Sequence, residues 1–318
     1  MIKIELNLPI ELKGLRLDQA LAKALPDYSR TEIKSWIDQK ALVVNGKIPR
    51  ASDKVHGNEI VIINAHRKQQ PAWEAENITL DIIFEDDALL VINKPAGMVV
   101  HPAAGNPNKT LLNALLHHAP ALKDLPRAGI IHRLDRDTTG LLVIAKTTAA
   151  LKSLSAQMRK RTISRIYQAI VMGTLISGGT IDAPIGRHPI QRKRMSVTDE
   201  ETGRPAITHY RIIEKYPHHT RIRVQLETGR THQIRVHMAH IRHAIFGDPI
   251  YGGRLQLPKG ASEELISVLR GFKRQALHAE ELGLIHPVTR KQMHWHAPLP
   301  EDMHTLISIL KKTSHEFD

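Results

Sequence analysis

Five consecutive apolar residues, Leu141-Leu142-Val143-Ile144-Ala145, follow Gly140 directly, and the stretch before them holds His132, Arg133, Asp135, Arg136 and Asp137. A short run with no polar position fits a strand covered on both faces, and so one near the middle of a sheet. The charged loop from Gly129 to Gly140 must then hang from the end of that strand. Reactive side chains are commonly presented in this way, on a loop held by rigid scaffold. The same residues also fit a solvated charged turn before a core strand, and local sequence alone does not separate the two.

With 318 residues and 42% hydrophobic content, the chain can bury a full core as one large domain plus a small one. Zero cysteines exclude disulfides and thiolate metal sites, which fits a reducing cytoplasm. No apolar run approaches a membrane span, and the start Met1-Ile2-Lys3-Ile4-Glu5 alternates like a strand rather than a signal peptide. The expectation is a cytoplasmic monomer without membrane contact. A formal net charge of +13 favours a polyanionic partner. That charge is concentrated: between Lys146 and Arg194 there are ten basic residues against the single acid Asp182.

Along the chain, Leu17, Ala20, Leu21, Ala24 and Leu25 fall at helical spacing until Pro26 stops the helix. Ser29 and Glu32 form a capping box for a second helix, with Ile33, Trp36 and Ile37 as its buried stripe. Asn45-Gly46 after Ala41-Leu42-Val43-Val44 is a strong hairpin signal, and Glu59 to Ile63 reads as a further strand. Two short helices, a hairpin and a basic face resemble the S4 RNA-binding domain, from Arg16 to about Ile63. That resemblance implies an RNA face carried by Arg16, Arg30, Lys34 and Lys47, giving phosphate contacts that position without reading sequence.

The expected organisation is this small domain at 1–64, a linker at 65–77 that breaks both periodicities, and a large domain at 78–318. Strands are expected at 81–84, 88–93, 163–172, 206–213, 220–227, 275–285 and 291–296. Helices are expected from Thr110 to about His118, from Thr148 to about Arg161, from a Thr231 cap to about Arg242, and from Glu301 to about Lys312. Gly178-Gly179, Pro184 and Pro189 mark a long excursion whose tip, Arg192-Lys193-Arg194, suits a clamp on nucleic acid. Helices interrupt the strands irregularly, so the fold class expected is α+β with a mixed, largely antiparallel sheet.

Three chemistries fit the central loop. Asp135, Asp137 and His132 could hold a divalent metal, but Arg133 and Arg136 interleave with the carboxylates and disfavour a dication. Asp137 and Thr138 suit local turn hydrogen bonds. Alternatively one Asp is a nucleophile kept ionised by an arginine, which needs neither metal nor thiol. His237, His240 and His243 recur every third residue but lack the adjoining carboxylate of a catalytic zinc motif. Most of the 20 histidines read as surface or RNA-facing groups, and no metal or cofactor is expected.

His132-Arg133-Leu134-Asp135-Arg136-Asp137-Thr138-Thr139-Gly140 stands with Asn93-Lys94-Pro95-Ala96-Gly97, with Tyr167 after Arg165, and with Thr228-Gly229-Arg230-Thr231-His232-Gln233-Ile234-Arg235-Val236-His237. Together these resemble the RluA-type pseudouridine synthases, and with the S4-like N-terminus their RluD branch, which acts on large-subunit (23S) ribosomal RNA. The one slight departure is Thr139, where many members have Ser. The resemblance implies isomerisation of specific uridines to pseudouridine, without a cofactor, on ribosomal RNA or an assembling large subunit. It also implies that Asp135 is the nucleophile, that Tyr167 packs against the flipped uracil, that Arg230 pairs with Asp135, and that Arg133 enters the space the base leaves. The alternative from another class is a non-catalytic ribosome-assembly or RNA-binding protein.

Overall fold

The structure is a computed structural model that describes residues 2–26, 28, 30–65, 73–103, 105–191, 194–258 and 260–314. Two compact units divide the chain, Met1–Ala72 and Trp73–Asp318. In the first, β1 (Ile2–Asn7) precedes helices α1 (Leu17–Ala24) and α2 (Arg30–Asp38), then β2 (Leu42–Val44) and β3 (Ile60–Ala65). The sheet is antiparallel with order β1-β3-β2. Alternation decides its faces: Val61, Ile63 and Ala65 of β3 point into a core with Leu17, Leu21, Ile33, Trp36 and Ile37. Asn45 and Gly46 do form a tight turn, with positive φ at both, yet the returning chain makes only the bridge Val44–Lys47. The strand that pairs with β2 is β3. Ser29, the expected cap of α2, lies outside the described residues, as do 66–72 of the expected linker.

The second unit begins with segment 73–77, which by its broken periodicity was expected to be linker. Asn113 binds it by donating from Nδ2 to the Glu74 carbonyl at 2.8 Å and by accepting from Glu76 N at 3.0 Å through its own carbonyl. Next come β4 (Ile82–Glu85), β5 (Leu89–Lys94), α3 (Leu111–His118), β6 (Thr139–Ala145), α4 (Thr148–Arg159) and β7 (Ser164–Met172). Three short strands follow, β8 (Gly179–Asp182), β9 (Ile185–Arg187) and β10 (Met195–Val197), before β11 (Ile207–Lys215) and β12 (His219–Leu226). The chain closes with α5 (Gln233–His240), α6 (Glu263–Gly271), β13 (Leu277–Ile285), β14 (Gln292–His296) and α7 (Glu301–Ser314).

Strand order in the main sheet is β4-β5-β6-β13-β7-β12-β11-β8, with β14 also on β13. Among the described strand pairs of this sheet only β6–β13 is parallel, so the sheet is mixed and largely antiparallel and the fold is α+β. All seven residues of β6 are buried. Leu142 and Ile144 join a core that includes Leu112 and Leu115 of α3 and Leu306 of α7. Leu141, Val143 and Ala145 join a second, with Ala150 and Leu154 of α4. Each buried leucine or isoleucine contributes about 1.5–3 kcal/mol, so β6 is a fixed post for the loop before it. The close approach of β13 needs Gly140: its φ is +111°, and a Cβ there would stand 2.2 Å from the Ala279 carbonyl oxygen.

Several local expectations change. Thr231 does not cap α5; the preceding residue is His232 in the left-handed region, without a side-chain cap. Gln233 ties down the turn from inside the helix, accepting Thr228 Oγ1 at 2.8 Å and Arg230 N at 2.9 Å. Helix α6, capped by Ser262, has no counterpart among the expected elements. The long excursion contains the two-stranded sheet β9–β10. His237 is not a surface group: it is fully buried and bonded to Thr208 and the Ala183 carbonyl, while His243 bonds the Met172 carbonyl.

Candidate active site

The loop that ends in β6 is fixed from beneath at successive residues. Lys94, wholly buried, donates from Nζ to the carbonyls of Pro95, Met98 and Arg136 at 2.6, 3.0 and 2.9 Å. Burial lowers its pKa to about 7, with Asp137 and Asp135 pulling it back up. Arg274 Nη1 donates to the Asp137 carbonyl at 3.2 Å, and Gln275 Nε2 to Thr138 Oγ1 at 3.0 Å. Thr138 N closes the turn onto the Asp135 carbonyl at 3.1 Å.

This loop presents Asp135 to a cavity of about 630 Å³, walled also by Tyr167, Arg165, His132, Arg230 and Arg235. Asp135 is the one carboxylate among the described residues that line it, against five arginines. Asp137 turns away and pairs with its exposed neighbour Arg136 at 3.2 Å.

The guanidinium that holds Asp135 is not the expected one. Arg235 Nη1 donates to Asp135 Oδ2 at 2.9 Å, whereas Arg230 Nε donates to the Pro205 carbonyl at 3.0 Å. The reason is helical geometry. Arg230 lies in the turn before α5, while Arg235 lies within α5 on its buried side, between Ile234 and Val236. Arg235 is itself clamped, donating from Nε and Nη2 to Asp248 at 2.7 and 2.9 Å. Burial works against its charge, but Asp248 and Asp135 push its pKa upward. Burial likewise opposes ionised Asp248, yet Arg235 and the backbone donors of Ile250 and Tyr251 hold its pKa below the ordinary carboxylate range. With one oxygen taken by Arg235, Asp135 keeps the other, Oδ1, 3.9 Å from His232 Nε2. Its side chain is 16% exposed, enough to be reached from the cavity.

Tyr251 links this pair to the β9–β10 sheet. Its ring lies 5.1 Å from the Arg235 guanidinium and 5.2 Å from that of Arg194, and its hydroxyl accepts from Met195 N at 3.0 Å and meets His232 Nδ1 at 2.9 Å. Tyr167, 5% exposed, reaches the cavity from β7, and burial raises its pKa. His132 is half-buried, with Nδ1 shielded from solvent. It is held neutral, its pKa lowered to about 3 by burial and then by Arg165; Nε2 accepts from Val143 N at 3.2 Å. Arg133 lines the same cavity and is exposed.

The other expected RNA contacts are scattered. Arg194 stacks on Tyr251, whereas Arg192 and Lys193 lie outside the described residues. In the first unit Arg16 and Arg30 both bind buried Asp18, at 3.1 and 2.6 Å, which neutralises part of their charge. Lys34 and Lys47 are exposed. Sequence reasoning singles out neither Asp248 nor Tyr251, because no spacing rule ties either one to the loop that holds Asp135. Nor does the sequence mark Arg235 as buried, because neighbouring helix residues point to different faces and Ile234 and Val236 do not fix where the side chain between them goes.

Comparisons with known proteins give the family. The RNA pseudouridylate synthase family matches residues 88–240 and the S4 domain family residues 15–61. Ribosomal large subunit pseudouridine synthase D of Escherichia coli is 54% identical over 304 residues, covering 95% of this chain and 93% of that protein. The chain belongs to this family of pseudouridine synthases. The Pseudomonas aeruginosa protein of the same description is 52% identical to the synthase over 317 residues, covering 100% and 98% of the two chains. Among solved structures, Human RNA Pseudouridylate Synthase Domain Containing 4 matches with a TM-score of 0.57 at 25% identity, covering 72% of the synthase and 92% of that chain.

Proposed function

We propose that the synthase isomerises specific uridines of large-subunit ribosomal RNA to pseudouridine, with Asp135 as nucleophile. The observation that carries this reading is the Arg235–Asp135 contact of 2.9 Å inside a cavity otherwise rich in arginine. Such a pair fixes the direction of a carboxylate that can act as a nucleophile. A uridine in structured RNA reaches Asp135 only by leaving its stack, at a cost of a few kcal/mol. Exposed Arg133 at the cavity is suited to fill the gap, and Tyr167 to meet the face of the extruded base. The S4 unit supplies further phosphate contacts through Lys34 and Lys47, with Arg16 and Arg30 partly engaged by Asp18. Tritium release from RNA labelled at uridine C5 tests the reading, because binding alone cannot break that C–H bond. Release by the wild type and none by Asp135→Asn is the expected result; no release by the wild type from large-subunit RNA would refute it.

A further inference from the structure

Arg165 is a buried cation that the pairing of Asp135 leaves unused. It is 7% exposed, it lines the cavity with Tyr167 two residues further along β7, and its Nε has no hydrogen-bond partner. Residues two apart on a strand share a face, so the guanidinium and the Tyr167 ring flank the same space. Gly229 makes room for it, since a Cβ there would lie 2.8 Å from Arg165 Nη1. Leaving a buried N–H without a partner is costly. A group kept in that state at a binding cavity is poised for an anion that the free enzyme lacks.

We propose that Arg165 is a catalytic residue that stabilises the negative charge developed on a uracil carbonyl oxygen during the reaction. The inference rests on the pseudouridine synthase reading above. If Asp135 attacks the ribose, the C1′–N1 bond breaks and its electron pair passes into the ring, shared by N1, O2 and O4. If Asp135 adds at C6, the pair displaced from the C5–C6 bond becomes an enolate on O4. Either route makes an oxyanion on a base that arrived neutral. The bond is then remade from C5 to C1′, the C5 proton goes to water and N1 takes one back, so the sum is an isomerisation. A cation already seated beside the extruded base favours that anion over the neutral base, and so accelerates the reaction rather than merely tightening binding. A phosphate is the less suitable ligand, because it remains at the hydrated mouth where Arg133 is exposed.

Full-length Arg165→Lys and Arg165→Met test this with single-turnover rates at saturating enzyme, RNA dissociation constants and thermal melting. Both should lose about 10²-fold or more in rate, with dissociation constants close to wild type. Arg165→Met should melt no lower than wild type, because a buried N–H without a partner has been removed. A normal rate in either variant overturns the proposal. So does a loss confined to affinity with a shallower salt dependence, which marks a phosphate contact, or a melting temperature lowered in proportion to the rate, which marks a structural role. Should Arg165→Met not fold, Arg165→Lys is judged by the same rate and affinity criteria. Wild-type turnover in the same assay separates the two claims: without it the function itself fails, and with it only the role of Arg165 is at issue.

Discussion

Arg235 gives Asp248 both hydrogens of one guanidinium edge, at 2.7 and 2.9 Å, and reaches Asp135 with a nitrogen of the other. The ion pair behind Asp135 therefore sets where its carboxylate points. A lysine at 235 keeps the charge but cannot span two carboxylates with a planar fork. Arg235→Lys should lower the single-turnover rate by about 10²-fold or more with RNA affinity nearly unchanged. Arg230→Lys should be mild, since Arg230 bonds a backbone carbonyl. Equal losses in the two variants would mean that the Asp135 contact does not matter to the chemistry.

Asp135→Asn should lose at least about 10³-fold in pseudouridine formation, because an amide is no substitute for a carboxylate nucleophile. RNA binding should survive. Asp137→Asn should be much milder, because Asp137 pairs with exposed Arg136 outside the cavity. Direct counting of pseudouridine in the RNA product checks both.

Asp248 predicts an acid limb to stability. Its folded pKa lies below the ordinary range, so the unfolded chain binds more protons as pH falls through about 4. The stabilisation is present in full above that pH and is lost progressively below it. Asp248→Asn should cost about 3 kcal/mol at neutral pH, because Arg235 loses a buried partner, and should flatten this acid limb. Urea midpoints from about pH 3 to about pH 7, a range that spans the unfolded carboxylate pKa, check the sign. A limb as steep in the variant as in the wild type would exclude Asp248 as its source.

Removal of residues 1–72 should weaken RNA binding yet leave residual activity, because Asp135, Tyr167 and Arg235 all belong to the second unit. Each lost phosphate contact reduces the slope of log affinity against log salt by about 0.7–0.9. Identical slopes for the full and shortened proteins would remove the S4 unit from the RNA path.

The sheet and its main strands are legible in the sequence because burial on one or both faces writes itself into the period of apolar residues, most clearly in β6 and β12. The loop that carries Asp135 is legible because the apolar run of β6 bounds it, but the residues alone leave Asp135 and Asp137 equal, and only the family resemblance chooses between them. The choice of Arg230 over Arg235 fails because both lie around one helix start, and only the position of the first turn of α5 decides which of them faces Asp135. Asp248 stands far from Asp135 along the chain, and no local pattern joins the two. Helix α6 is absent from the expected elements although its signal is present: Leu265, Val268 and Leu269 recur at helical spacing, and Ser262 with Glu263 and Glu264 marks its start.

β13, the strand between β6 and β7, is made from residues 277–285, far along the chain from both of its neighbours. A ribosome delivers β6 and β7 long before the strand that joins them, at about 5–20 residues per second. Until β13 inserts, both neighbours have unpaired edges, the kind that recruit other chains. A message cut short before this strand would therefore yield a sticky pair of half-sheets rather than a weakened enzyme, and quality control during synthesis has to cover that interval.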